Sequence, residues 1–387
     1  SLFEFLLYRR VFGEKTPAIG AKIINPATRL VYNSINIKSS DFWTPNFTNK
    51  TNDSLNTASD KLIYYLSNSL KRKTSDKKRF GLFLSGGMDT RLILACAKRN
   101  KIDLTAFTFN SFENREVQIA KEVAKITKTP HYFVQNKSNH YNKVLPEAVY
   151  STASMYQPLS LFYSHSKFMR KHIDVGLHGH GFDFFFQGMY LPRKKLELFN
   201  KKLDFLIPVK IKENNIDYFL KNISYKTKGS NILNFFKRNN YNVMIQKLVN
   251  DLKKIEIKSK KFCNSKIDSY EFLTFGNLAR HYSVCDNISM NSITKIRTPS
   301  YDNDLYDFYQ KLPWKFRFDS RIQRLSLKKL NPDLANLRSS NTNMPISYSS
   351  SQKTFFQFIN FVKRRFLKTD FKNDLFQRMG LPIGYLI

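Results

Sequence analysis

The sequence predicts an α/β fold: a parallel sheet flanked by helices, followed by a helical C-terminal part. Three observations carry this. Short apolar runs alternate with helical patterns from Phe80 onward. The first run, Phe80–Leu84, passes through Ser85-Gly86-Gly87 straight into a helix. After about residue 270 the periodicity is helical. With 387 residues, 42% of them hydrophobic, the chain can bury a large core and is not a disordered polymer.

The elements follow in order. LFEFLLYRRV predicts a short helix, then strands around Lys22–Ile24 and Leu30–Asn36, then Phe42-Trp43-Thr44-Pro45. Thr51–Thr57 reads as loop. Leu62, Ile63, Leu66 and Leu70 recur at helical spacing before the charged turn KRKTSDKKR. Strands are expected at Phe80–Leu84, Leu104–Phe109, His131–Val134 and Val175–His178. Helices are expected at Arg91–Arg99, from about Asn114 with Val117, Ala120, Val123, Ala124 and Thr127 on one face, and over roughly 140–172. The Lys/Asn-rich stretch 191–268 reads as a helical insertion, and helical patterns return from Tyr270 to about Leu330. Near the end, Phe355, Phe358, Phe361, Val362 and Phe366 can share a helical face opposite Lys and Arg. Such a stripe docks on its own domain or lies weakly on an anionic membrane surface; docking is the commoner use.

Composition sets bounds. The net charge is +34. It fits an anionic partner such as nucleic acid, or a general bias toward Lys, Asn, Phe, Ile and Tyr; the even spread of lysines favours bias. No run is long and apolar enough to span a bilayer. The start, SLFEFLLYRRVFGEK, places charge where an apolar leader would continue, so no signal peptide is expected. An opening on Ser1 suggests a piece of a longer chain. Cys96, Cys263 and Cys285 lie far apart without metal-ligand spacing, which suits a reducing cytoplasm, and Cys96 reads as helix core.

The strand–Ser-Gly-Gly–helix run is suited to pyrophosphate. Gly86 and Gly87 have no Cβ, so backbone can approach a ligand closely. Amides at the helix N-terminus favour an anion. Ser85 adds a hydroxyl donor, and Asp89 can hold Mg2+ against phosphates. The Lys and the spacing of a Walker A loop are missing. The run resembles the PP-loop of ATP pyrophosphatases, the adenine nucleotide α-hydrolase-like fold.

Further segments resemble, in order, the synthetase part of glutamine-hydrolysing asparagine synthetases and their relatives. They are Phe42-Trp43-Thr44-Pro45; Phe107-Thr108-Phe109 with Glu113–Ala120; Met155-Tyr156-Gln157-Pro158; Leu177–Tyr190, similar to the family's SGDGADELFGGY; and Met290 with Lys295–Asp302. The resemblance covers about 1–190 and 270–345. It implies ATP and Mg2+ as cofactors, with Leu84, Ser85, Gly86, Gly87, Asp89 and Thr90 on pyrophosphate. Main-chain atoms near Phe107, Thr108 and Phe109 and near His178, Gly179, His180 and Gly181 would frame the nucleotide. Asp89 and Asp183 match the family's Mg2+ ligands. Arg297 is a candidate for substrate charge, or else a structural ion pair. The implied divisions are 1–58, resembling the end of a glutaminase domain; 59–190, the ATP-binding core; 191–268, the insertion; 269–350, the helical remainder; and 351–387, a basic aromatic tail.

Several family residues are replaced. His180 stands for the acid of Gly-Asp-Gly, Phe184 for the Glu after the second Asp, and Lys295 for the Glu of Leu-Glu-Val-Arg. Near Arg338–Pro345 the family's late Lys has no counterpart. His178 and His180 read as second-sphere or phosphate contacts more readily than as a metal pair, and Phe184–Phe186 as core. No residue matches a glutaminase nucleophile, so ammonia or a separate glutaminase is the expected nitrogen source. The resemblance implies an amide-forming ligase that adenylates a carboxylate, on aspartate or on a sugar or polymer. A catalytically degenerate nucleotide-binding descendant and a PP-loop enzyme acting on tRNA remain as alternatives; no RNA-binding module supports the last.

Overall fold

The computed structural model describes residues 2–153, 165–198, 201–223, 238–279, 287–288, 290–291 and 294–366, with backbone alone at 201, 238–239 and 361–366. The chain begins with α1 (Leu2–Tyr8) and a hairpin of β1 (Thr28–Tyr32) and β2 (Ile37–Asp41). Then come α2 (Leu55–Lys73), β3 (Phe80–Phe83), α3 (Met88–Arg99), β4 (Thr105–Asn110), α4 (Arg115–Ile126) and β5 (His131–Gln135). After α5 (His140–Ser151) and α6 (Ser166–His172) the chain forms β6 (Val175–Leu177) and the single turn α7 (Phe182–Phe185). A second hairpin, β7 (Arg193–Leu198) and β8 (Lys201–Pro208), leads to α8 (Asn215–Asn222), α9 (Arg238–Ser259) and α10 (Lys266–Thr274). The remainder is β9 (Lys295–Arg297), α11 (Asn303–Lys311), α12 (Arg321–Leu330), α13 (Pro332–Asn336) and α14 (Ser350–Phe366).

The central sheet has five parallel strands in the order β5-β4-β3-β6-β9. All four residues of β3 are buried, as a strand covered on both faces requires. Every residue of α3 from Thr90 to Ala97 is buried too, because α2 and α12 pack on it from outside. Local chemistry fixes the helix starts. Ser54 accepts the Thr57 N–H at 3.1 Å before α2, and Asn114 accepts the Val117 N–H at 3.2 Å before α4. From β3 the chain steps outward to β4 and β5, then returns to β6 on the other side of β3. That reversal leaves a crevice beyond the carboxyl ends of β3 and β6, where sheets of this kind hold ligands.

Four expectations need correction. The strand read over Leu30–Asn36 stops at Tyr32, because the Asn33 side chain accepts the Ile35 and Asn36 N–H groups and closes a turn. The one read at Lys22–Ile24 is reduced to a bridge between Lys15 and Lys22. The stretch 191–268 opens with an antiparallel hairpin before its helices; its period-2 apolar residues Leu203, Phe205 and Ile207 are masked by charge. β9 supplies a fifth strand of three residues, too short for a periodic signal.

The insertion's helices share a separate core with the N-terminal segment. Phe12 meets Phe219 edge-on with ring centroids 5.8 Å apart. Buried Arg317 pairs with Glu271 on α10, tying those helices to the C-terminal part. Helix α14 docks on β8, where Gln357 accepts the Asp204 N–H at 3.0 Å and donates to its carboxylate at 2.8 Å. Of the expected stripe, Phe355 and Phe358 are 50% and 61% exposed, and the side chains of Phe361, Val362 and Phe366 lie outside the described residues. Among the described residues no helix is long and apolar enough to cross a membrane. Cys96 is buried in α3, and Met155–Pro158 and Cys285 lie outside the described residues.

Candidate active site

The crevice is a cavity of about 260 Å3 between two loops. One runs Leu84, Ser85, Gly86, Gly87 into α3, and the other runs His178, Gly179, His180, Gly181 into α7. Thr90 braces the first loop from within the helix, its hydroxyl 3.2 Å from the Ser85 carbonyl and 3.3 Å from the Ser85 N–H. The Gly87 N–H donates to Ser85 Oγ at 3.2 Å. Gly86 is tightly placed: a Cβ there would stand 3.1 Å from the Ser340 side chain. Gly181 is required by conformation, at φ +92°.

Arg91 anchors this loop from behind. It is fully buried and donates to the carbonyls of Gly86, Leu334, Leu337 and Arg338 at 2.6–3.1 Å. A fixed cation behind the loop holds its shape without occupying the cavity.

Two carboxylates face the cavity, one from each loop. Asp89 Oδ1 accepts from Gln187 Nε2 at 2.5 Å and Gln323 Nε2 at 2.6 Å. Burial first, and then the nearby Asp183 charge, push the Asp89 carboxyl up to about 7. Burial pushes Asp183 up to about 6, although its Oδ1 accepts the Phe184 N–H at 3.0 Å. Glu116, at the start of α4, also lines the cavity. Burial raises its pKa, and the nearby Gly86 amide opposes that rise. No Lys or Arg lines this cavity among the described residues.

The histidines are neutral. Burial pulls His178 down to about 4 and His180 to about 3. His178 Nδ1 accepts the His180 N–H at 3.1 Å, so its proton sits on Nε2. Among the described residues no group of three or more His, Cys, Asp or Glu is arranged to hold a metal ion. Asp89 and Asp183 nevertheless suit Mg2+, which takes one or two carboxylates and fills its other positions with water and phosphate oxygens. Each is partly buried and raised in pKa, a situation a dication relieves.

The structure therefore brings Leu84, Ser85, Gly87, Asp89 and Thr90 to one cavity with Phe107, Thr108 and Phe109 and with His178, Gly179, His180 and Asp183. Gly86 and Gly181 shape its two loops from just outside. Thr108 is already engaged, bonding the Leu84 carbonyl and His131 Nε2, each at 2.8 Å. Arg297 does not line it, which corrects its placement as a catalytic residue. Lying on edge strand β9, it makes a two-pronged pair with Asp76 at 2.6 Å and holds that carboxyl well below the usual range. Phe184–Phe186 are core, with Phe184 stacked on Tyr190 at 4.8 Å. Glu116, Arg91, Gln187 and Gln323 escaped the sequence reading. The first three lie inside motifs already singled out, but Gln323 is 234 positions from its partner and carries no local signal.

The sequence model of the asparagine synthase family matches residues 61–335, most of the chain and all of the central sheet. This chain belongs to that family. Among curated proteins it is similar to provisionally named glutamine-hydrolysing asparagine synthetases of Mycobacterium bovis and two Mycobacterium tuberculosis strains. Each is 30% identical over 154 residues, 38% of this chain but 23% of the relative. The matched stretch thus spans under a quarter of those proteins. Among solved structures, an NMN synthetase from Francisella tularensis aligns with 18% identity and a TM-score of 0.26, over 36% of this chain and 59% of that one.

Proposed function

We propose that this chain is an ATP-dependent, amide-forming ligase of the asparagine synthase type, with the substrate carboxylate attacking the α-phosphate of ATP. The observation that carries the reading is the meeting of the Ser85 and His178 loops at the switch point of the sheet, each bringing one partly buried aspartate. Asp89 and Asp183 would hold Mg2+, which when bound neutralises charge on the phosphates. Ser85, Gly87 and the first turn of α3 would grip the departing pyrophosphate. Neutral His178 can donate from Nε2 to a phosphate or carboxylate oxygen without adding charge. An amine then displaces AMP.

One observation favours a second reading, a nucleotide-binding descendant without turnover. Among the described residues the cavity carries three carboxylates and no cation to meet developing negative charge. Calorimetry with Mg-ATP, and pyrophosphate release with aspartate and ammonium, separate the two. Binding that Asp89→Ala abolishes, together with pyrophosphate release, supports the ligase. Binding without release under any carboxylate and amine supports the descendant. Absence of binding sinks both.

A further inference from the structure

A second cavity, of about 340 Å3, lies between hairpin β7–β8, the turn at Asp319–Ser320, Thr342 and the start of α14. We propose that it is a binding site for a small phosphate-bearing molecule. Its walls carry Arg193, Lys194, Lys195 and Lys353 against Asp204 and Asp319. Both acids are already engaged. Asp204 pairs with Lys195 at 2.6 Å and with Gln357. Asp319 pairs with Arg324 at 3.2 Å and accepts the Ser350 N–H at 2.9 Å. Arg193 and Lys353 are left without a carboxylate at ion-pair distance among the described residues, although both are partly buried.

Burial pulls the pKa of Arg193 and Lys353 down, and for Lys353 the Arg324 and Lys195 charges add to this while the nearby acids oppose it. Two cations drawn out of water toward one cavity are costly unless an anion joins them. The buried Thr342 hydroxyl likewise has no partner among the described residues. A planar guanidinium, a point ammonium and a hydroxyl donor together match the oxygens of a phosphate. The cavity is an open hollow of limited extent, unlike the extended stripe that a polyanion requires. It is also separate from the first: none of its lining residues is shared. The site does not depend on the ligase reading.

The test uses the full chain and inorganic phosphate, followed by calorimetry and by the phosphate-induced rise in Tm. Arg193→Met and Lys353→Met should each weaken phosphate binding by about tenfold or more, and Lys353→Arg should restore part of it. In phosphate-free buffer both Met variants should keep or raise Tm, since each removes an unpaired cation; a purely structural role predicts a lower Tm. Asp89→Ala should leave phosphate binding intact. The proposal is overturned if phosphate does no more than chloride at equal ionic strength, if binding survives both Met substitutions, or if Mg-ATP displaces the phosphate. Failure of Mg-ATP to bind would sink the ligase reading and leave these results standing.

Discussion

Two cavities of opposite character flank the same helix. Among the described residues the first holds Asp89, Asp183 and Glu116 with no cation, and the second holds Arg193 and Lys353 with its two acids already paired. Helix α12 touches both, with Gln323 on Asp89 and, one residue later, Arg324 on Asp319. The loop after α13 does the same: Ser340 packs on Gly86 and Thr342 lines the second cavity. The net charge of +34 therefore says little about either place. The acidic cavity exists despite that charge, which is why an anion there calls for a dication.

The comparison breaks most sharply at Asp89. Asp89→Ala should weaken Mg-ATP by about 100-fold or more, read by calorimetry, because it removes half of the proposed cation site. Unchanged affinity would mean that the acidic cavity is not where the nucleotide binds.

Next in size is the shared helix. Gln323→Leu removes one of two donors holding Asp89 Oδ1, and a hydrogen bond to a charged group contributes about 1.5–3 kcal/mol. Mg-ATP affinity should fall about tenfold while phosphate binding at the second cavity is kept. Loss at both cavities would show that α12 itself had moved.

A pH series sharpens the contrast. Asp89 and Asp183 are raised to about 7 and about 6, so the folded chain holds their protons longer than the unfolded chain does. Their contribution to stability is therefore full below the usual carboxylate pKa near 4 and is lost as pH rises toward about 7. Without Mg2+, the drop in Tm across that window should be smaller in Asp183→Asn than in wild type. An identical drop would mean that the pair is not coupled. The smallest effect is expected at Arg297→Met, which breaks a pair at the edge of the sheet. Mg-ATP affinity should not change, and Tm should fall only slightly.

The sheet and the first cavity were legible because both rest on local signals. An apolar strand, a Ser-Gly-Gly turn and a helix start can be read within about a dozen residues, and Asp89 and Asp183 each sit inside such a run. Arg297 misled because its motif fixes a position in the chain and not a direction; edge strand β9 turns it onto Asp76. The hairpin β7–β8 was hidden by lysines that belong to its exposed side. Gln323 and the second cavity were illegible for another reason. They are assembled from segments far apart in sequence, and no single segment is unusual.

The four carbonyls gripped by Arg91 include three at Leu334, Leu337 and Arg338, between 243 and 247 positions later in the chain. Order of synthesis follows from that. A nascent chain can lay down β3, α3 and the glycine turn early, but the turn gains its backing only after Arg338 has left the ribosome. Until then the loop has only its local bonds, to Thr90, within Ser85–Gly87 and from Arg91 to Gly86, and a half-made chain would be a poor competitor for nucleotide.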